Sequence, residues 1–354
     1  MKLRGAMKLS GGIIVCRKLM VWAVMAVAVL VTLPVYAEKV YAENLPPLLY
    51  LDDSAEYHAV PKPNVLIISA DGGSARRSSA KRSSLERSSL GGYSEVVAVR
   101  WSADHRSVLV APSVKQPMFL CRFNSITRTF GPRQDIAATL GNPGVHYQIH
   151  IDDFDWSRDG TRLVLANQQR LVIFDLKTGH KHLLYHTASP STIVEAVAWS
   201  PDGKRVAFSM PNKDSQADTG GGFHEDVWVI NANGSGLRRL GHGMGPCWSA
   251  DGIHLIAISL TSGGNPAIVS YQSSSGEQRV LWQVKRTTDE DFFRALSYSS
   301  NGRYIAVFGP QPPFSKDNGY QTSLYLISSL GRFVKTLMPP SQLNQIGYPS
   351  ELTW

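Results

Sequence analysis

Along the chain, short apolar runs alternate with tight polar turns, and the apolar positions recur with a period of two rather than 3.6. One pattern appears five times: an apolar stretch, an aromatic residue, a turn of the type Ser-x-Asp-Gly, and an alternating apolar strand. The copies are AVRWSADHRSVLVA with Trp101, DFDWSRDGTRLVLA with Trp156, AVAWSPDGKRVAFS with Trp199, GPCWSADGIHLIAIS with Trp248 and ALSYSSNGRYIAVF with Tyr298. Successive aromatics stand 55, 43, 49 and 50 residues apart, the length of one four-stranded unit with its loops. Gly160, Gly203, Gly252 and Gly302 close the turn, where a left-handed conformation is needed, and His105 stands in that place in the first copy. The Asp or Asn of each turn is placed to hydrogen-bond its own backbone. Each aromatic is too large for one sheet to bury, so it is expected to pack against the next repeat.

A second hairpin signal follows each copy: MFLCRFNSITRTF from Met118, LVIFDLKTGHKHLL from Leu171, VWVINANGSGLRRL from Val227, AIVSYQSSSGEQRVL from Ala267 and LYLISSLGRFVKTL from Leu324. A sixth, NVLIISADGGSARR from Asn64, precedes the first aromatic copy, and the chain ends in SELTW, with Trp354 56 residues after Tyr298. First strands and second hairpins are thus equal in number but out of phase. The pattern predicts an all-β fold: a six-bladed β-propeller of four-stranded blades, spanning 44–354 as one domain. Its last blade would take one strand from the C-terminus and three from the N-terminus, namely PLLYLDD, NVLIIS and the segment after Asp71-Gly72. Joining the ends in this way protects edges that an open stack would expose.

The run WSPDGKRVAFS followed by VWVINANGSGLRRL resembles the repeat of TolB-like propellers, also called WD-like repeats, and the resemblance covers nearly all of 44–354. It implies a propeller fold and says little about function. The few residues between the expected cleavage site and the first strand leave no room for the α/β domain that precedes the propeller of TolB. Related propellers accompany the hydrolase of prolyl-oligopeptidase-type peptidases, but no G-x-S-x-G nucleophile elbow occurs in this sequence.

Charge changes the picture only at the N-terminus. The whole chain carries +8, but five of its 36 basic residues lie in the first 37, which hold no acid. The remainder has 31 basic against 28 acidic residues, which argues against a nucleic-acid partner. Residues 1–37 have the form of a signal peptide. A basic region ends at Arg17-Lys18, an uncharged apolar run extends from Leu19 to Leu33, and a small-residue end falls at Ala37. A second cut would follow Ala42. If retained, the segment would be a membrane anchor, although its apolar run is short of the roughly 20 residues a span needs. Either way the protein is expected to be exported, periplasmic or extracellular. Cys121 and Cys247 fall in different blades and are expected to be free and buried.

No phosphate loop, dinucleotide fingerprint or tandem metal-ligand motif is present in the sequence. Chemistry is therefore sought at the mouth of the central channel, just upstream of each inner-strand aromatic. His150, Asp152, Asp153, Glu195, His242, Arg294, Tyr348 and Glu351 collect there as a polar rim with carboxylates and two histidines. Such a rim suits a ligand or partner, and a divalent cation is possible at it, with no other cofactor expected. Residues 73–94 carry Arg76, Arg77, Lys81, Arg82 and Arg87 and read as an exposed connection. Residues 211–226 are Gly- and Asp-rich, and Gly309 to Thr322 reads as a proline-bearing surface loop. The expected function is a non-catalytic scaffold of the cell envelope that binds a protein or small ligand, monomeric, and touching membrane only through an uncleaved N-terminus. The alternative is a propeller-type lyase or hydrolase acting on a glycan through the acidic and histidine mouth.

Overall fold

The computed structural model describes residues 48–52, 64–68, 96–112, 118–125, 129–136, 152–190, 192–212, 225–286, 292–315, 319–339 and 349–354. All belong to one compact unit, Pro46–Trp354. The 1–37 segment, residues 73–94 and the strand expected after Asp71-Gly72 lie outside them. Among the described residues no helix is long and apolar enough to cross a membrane.

The first described strands are β1 (Leu48–Asp52) and β2 (Asn64–Ile68). The first blade holds β3 (Val96–Trp101), β4 (Ser107–Pro112), β5 (Phe119–Asn124) and β6 (Thr129–Asp135). The second holds β7 (Asp153–Trp156), β8 (Arg162–Asn167), β9 (Arg170–Asp175) and β10 (Lys181–His186). The third holds β11 (Val197–Trp199), β12 (Arg205–Pro211), β13 (Glu225–Asn231) and β14 (Arg238–His242). In the fourth are β15 (Met244–Trp248), β16 (His254–Leu260), β17 (Pro266–Gln272) and β18 (Gln278–Gln283). The fifth comprises β19 (Ala295–Tyr298), β20 (Tyr304–Ser315), β21 (Gly319–Ser328) and β22 (Phe333–Met338), and β23 (Pro349–Thr353) ends the chain.

Among the described residues, complete four-stranded blades number five, not the six expected. The remaining sheet has three described strands in the order β2-β1-β23. The fourth strand assigned to it from the sequence lies outside the described residues. Within this sheet the two ends of the unit pair antiparallel, Leu49 with Thr353, Tyr50 with Leu352 and Leu51 with Glu351. The inner strands meet in a closed circuit: β3 with β7, β7 with β11, β11 with β15, β15 with β19, β19 with β23, and β23 with β3.

The pleat explains how the sheets stack. On β1, Leu48 joins a core with Phe308, Leu324 and Leu326 of the fifth blade, while Leu49 joins one with Val99, Trp101 and Phe119 of the first. The three-stranded sheet is thus sandwiched between the last and first blades. The other four clusters likewise lie between consecutive blades. Trp101, Trp199, Trp248 and Tyr298 all face the preceding sheet, not the following one as the repeat suggested. Period-two alternation then turns the residue just before each aromatic toward the following blade.

The repeated turn is built the same way five times. Ser102, Ser157, Ser200, Ser249 and Ser299 donate their hydroxyls to Asp104, Asp159, Asp202, Asp251 and Asn301. The same acceptor oxygens take backbone N–H groups of Arg106, Thr161, Lys204, Ile253 and Arg303. These bonds hold the Asp159 carboxyl down at about 2. The closing position is left-handed in each copy, with φ of 54° at His105 and 66° at Gly160. Arg162 and Arg205 reach into the following blade, stacking on Trp199 at 5.0 Å and Trp248 at 4.8 Å. Their guanidinium groups also donate to the turn carbonyls of Gly203 and Gly252.

The Gly309 to Thr322 segment is not the loop expected. It prolongs the β20–β21 hairpin, with Pro310 opposite Thr322, Gln311 opposite Gln321 and Ser315 opposite Gly319. The register shift between Gln311 and Ser315 accommodates Pro312 and Pro313, which have no N–H to give a ladder.

Removing residues 350–354 takes most of β23 and the buried Leu352 from the ring, and is expected to cost at least about 4 kcal/mol, or about 10 °C in Tm. An unchanged melting curve would mean that the ring closes without this strand. Two glycines separate conformation from contact. Gly160 and Gly331 both have left-handed φ (+66° and +79°), but a Cβ at Gly160 meets open space, whereas at Gly331 it collides with the Leu281 carbonyl of the fourth blade. Gly160→Ala should cost about 1 kcal/mol and Gly331→Ala about 3 kcal/mol or more in chemical denaturation.

Candidate functional site

An innermost strand leaves one edge unpaired toward the axis, and its N–H groups need acceptors in a narrow space. The second blade provides two. Asp153 Oδ2 accepts from Val197 N at 2.8 Å and Asp155 Oδ2 from Trp199 N at 2.7 Å. Both carboxylates therefore cap the edge of β11 from the preceding blade. The other Asp153 oxygen takes Phe154 N at 2.8 Å and Arg100 Nη2 at 2.7 Å. In the fourth blade, Cys247 Sγ accepts from Tyr298 N at 3.4 Å. Burial raises the pKa of Asp153, that of Asp155 to about 6 and that of Cys247 to about 11, against the pull of Arg100 and the backbone donors. Neither described cysteine is in a disulfide; Cys121 is buried and Cys247 half-buried.

The rim lies where the inner strands begin. Glu195, just before β11, interacts with Glu225 at the start of β13. Burial first, then the Glu195 charge, pushes Glu225 up to about 8. Beside it Asp226 is almost fully buried and receives Arg239 Nε at 2.6 Å and Nη2 at 2.7 Å. His242 stands opposite Asp226 across the β13–β14 ladder, with Nδ1 2.9 Å from Asp226 Oδ1 and its ring largely exposed. Its backbone carbonyl accepts the hydroxyls of Ser259 and Tyr271 of the fourth blade. Arg294 is exposed, with its guanidinium over the Phe292 ring at 4.5 Å.

The residues singled out from the sequence thus separate by role. Asp152 closes the β8–β9 turn by accepting Gln168 N. Asp153 holds an inner edge and Arg100. Glu195 and His242 each engage a different acid, Glu225 and Asp226. Glu351 sits on β23 opposite Leu51. His150 and Tyr348 lie outside the described residues. Asp152, Glu195 and His242 each spend their functional group on a separate partner. Among the described residues no three His, Cys, Asp or Glu side chains are grouped to hold a metal ion.

The sequence reading missed Arg100, Asp155, Glu225, Asp226 and Arg239. Arg100 and Asp155 each directly precede a repeat aromatic, the position that the pleat turns toward the next blade, so the signal was there. Glu225 and Asp226 precede no aromatic. They stood only as the end of an acidic loop, and the register with β14 was needed to pair them.

Antiparallel blades entered on their inner strand and stacked around a closed circuit define a β-propeller. Its fold is TolB-like. TolB from Acinetobacter baumannii superposes with a TM-score of 0.57 at 16% identity, over 87% of this chain and 66% of that one. A chain of a nidogen/laminin complex superposes with a TM-score of 0.53 at 10% identity, over 87% of this chain and 97% of that one. No protein-family model and no curated protein matches the sequence.

Stability should fall as pH rises toward 8. The folded chain keeps the Glu225 proton to about 8, while the unfolded chain releases it near the ordinary 4.5. Between those values the folded state binds more protons, so raising the pH favours unfolding. Asp155 acts in the same sense but is spent above about 6. Glu225→Gln should flatten the dependence of Tm on pH between about 4.5 and 8 and leave the range below about 4.5 unchanged. Parallel curves for the two proteins would exclude a proton retained on Glu225.

Proposed function

We propose that this chain is an exported, non-catalytic β-propeller that binds a protein or ligand of the cell envelope at its polar rim, with the three-stranded sheet serving as a sixth blade. One observation carries the reading. The axis is committed to structure, with Arg100 paired to Asp153, and Asp153 and Asp155 each bonded to the inner edge of β11. The rim also holds its groups in place, His242 by Asp226 and Arg294 over Phe292, but leaves both side chains exposed to solvent. Binding places on such rings concentrate at the mouth, and charges at a rim set specificity and association rate. The signal-peptide form of 1–37 supports export. Among its structural neighbours, the nidogen/laminin structure is of a protein–protein complex.

The test compares the protein with the double variant His242→Ala and Arg294→Glu, both changes on exposed side chains. Each is immobilised and challenged with envelope extract. The expected result is a partner retained by the parent and lost from the variant, at a Tm within about 1 °C. Recovery of the same proteins by both, or by bare resin, would remove the rim from the proposal.

A further inference from the structure

Three segments of the third blade place oxygen atoms together at the rim. Glu195 comes from the connection into β11, Ser209 from β12 and Glu225 from β13. The backbone fixes their spacing, since Glu195 N donates to Ser209 O at 3.0 Å and Ser209 N to Ala196 O at 3.0 Å. The Ser209 side chain is fully buried and faces the Glu225 carboxyl. Ser209 Oγ and Glu225 Oε2 are both buried and make no hydrogen bond of proper geometry. Orphaned buried oxygens are costly and call for a partner. Two carboxylates and a hydroxyl, all hard oxygen donors with no nitrogen or sulfur among them, suit a cation of the calcium class.

We propose that Glu195, Glu225 and Ser209 form a divalent-cation site of calcium type that ties the connection into β11 to the start of β13. A cation there satisfies the two buried oxygens and removes the repulsion between the paired carboxylates. Main-chain carbonyls and water would complete the coordination that calcium requires. The ion would stiffen the rim beside Asp226 and His242, although the site does not depend on any partner binding there.

The metal alone is the probe. CaCl2 is titrated into the protein at pH 8 by calorimetry, and Tm is followed with and without about 5 mM CaCl2, a concentration that saturates extracellular-type sites. The expected result is one site per chain and a rise in Tm of about 2 °C or more, reversed by chelator. Glu225→Gln should weaken binding by more than about tenfold while keeping the fold by circular dichroism, and Ser209→Ala should weaken it less. If Glu225→Gln does not fold, Glu195→Gln, on a half-exposed side chain, replaces it. No heat and no Tm shift in the parent, or equal binding by the parent and a folded carboxylate variant, overturns the site. Partner capture at the rim is read separately, so either proposal can fail alone.

Discussion

Every blade of this protein is apolar on both faces, and neither face can be covered by the blade itself. The six hydrophobic clusters all lie between sheets, so each blade depends on both neighbours. A linear stack would leave two faces bare. Antiparallel pairing of β1 with β23 brings the two ends of this compact unit into one sheet and lets Leu48 and Leu49 cover the fifth and first blades. The fold is held less by any one blade than by that closure, because every interface is shared and the circuit has no free end.

The repeated turn makes the interfaces alike. A serine, an aspartate or asparagine and a left-handed residue satisfy one another locally, which fixes where each inner strand ends and thereby where its aromatic points. The arginine that follows the turn in the second and third blades then stacks on the aromatic of the next blade and bonds its turn carbonyl. A local hydrogen-bond pattern thus sets the register between blades. At the outer side, Gly331 lies so close to the Leu281 backbone that no side chain fits, and the same economy of space governs the packing of neighbouring sheets.

Function divides along the same axis. Near the centre, carboxylates serve as acceptors for strand edges, and burial makes them weak acids. At the rim the same residue type meets another carboxylate or a histidine, on a surface open to solvent. Asp153 and Glu195 looked alike in sequence because both precede an inner-strand aromatic. They differ because Asp153 projects against the unpaired edge of β11, while Glu195 stands one step earlier, where the strand has not begun.

The sequence by itself determined the fold class, the strand order within each blade, the position of the left-handed turns and the pairing of the chain's two ends. All of these follow from local rules: a period of two, a turn motif whose atoms bond within a few residues, and a repeat length. It did not determine which way the aromatics face, that the proline-bearing segment would continue as a hairpin, or which acids meet. Those depend on how one sheet lies against the next, and that is a property of stacking rather than of any single repeat. Tertiary structure alone brought Glu225 to Glu195 and Asp226 to Arg239 and His242. The contacts join residues 30, 13 and 16 positions apart, across strands whose register is set by the burial of the whole blade.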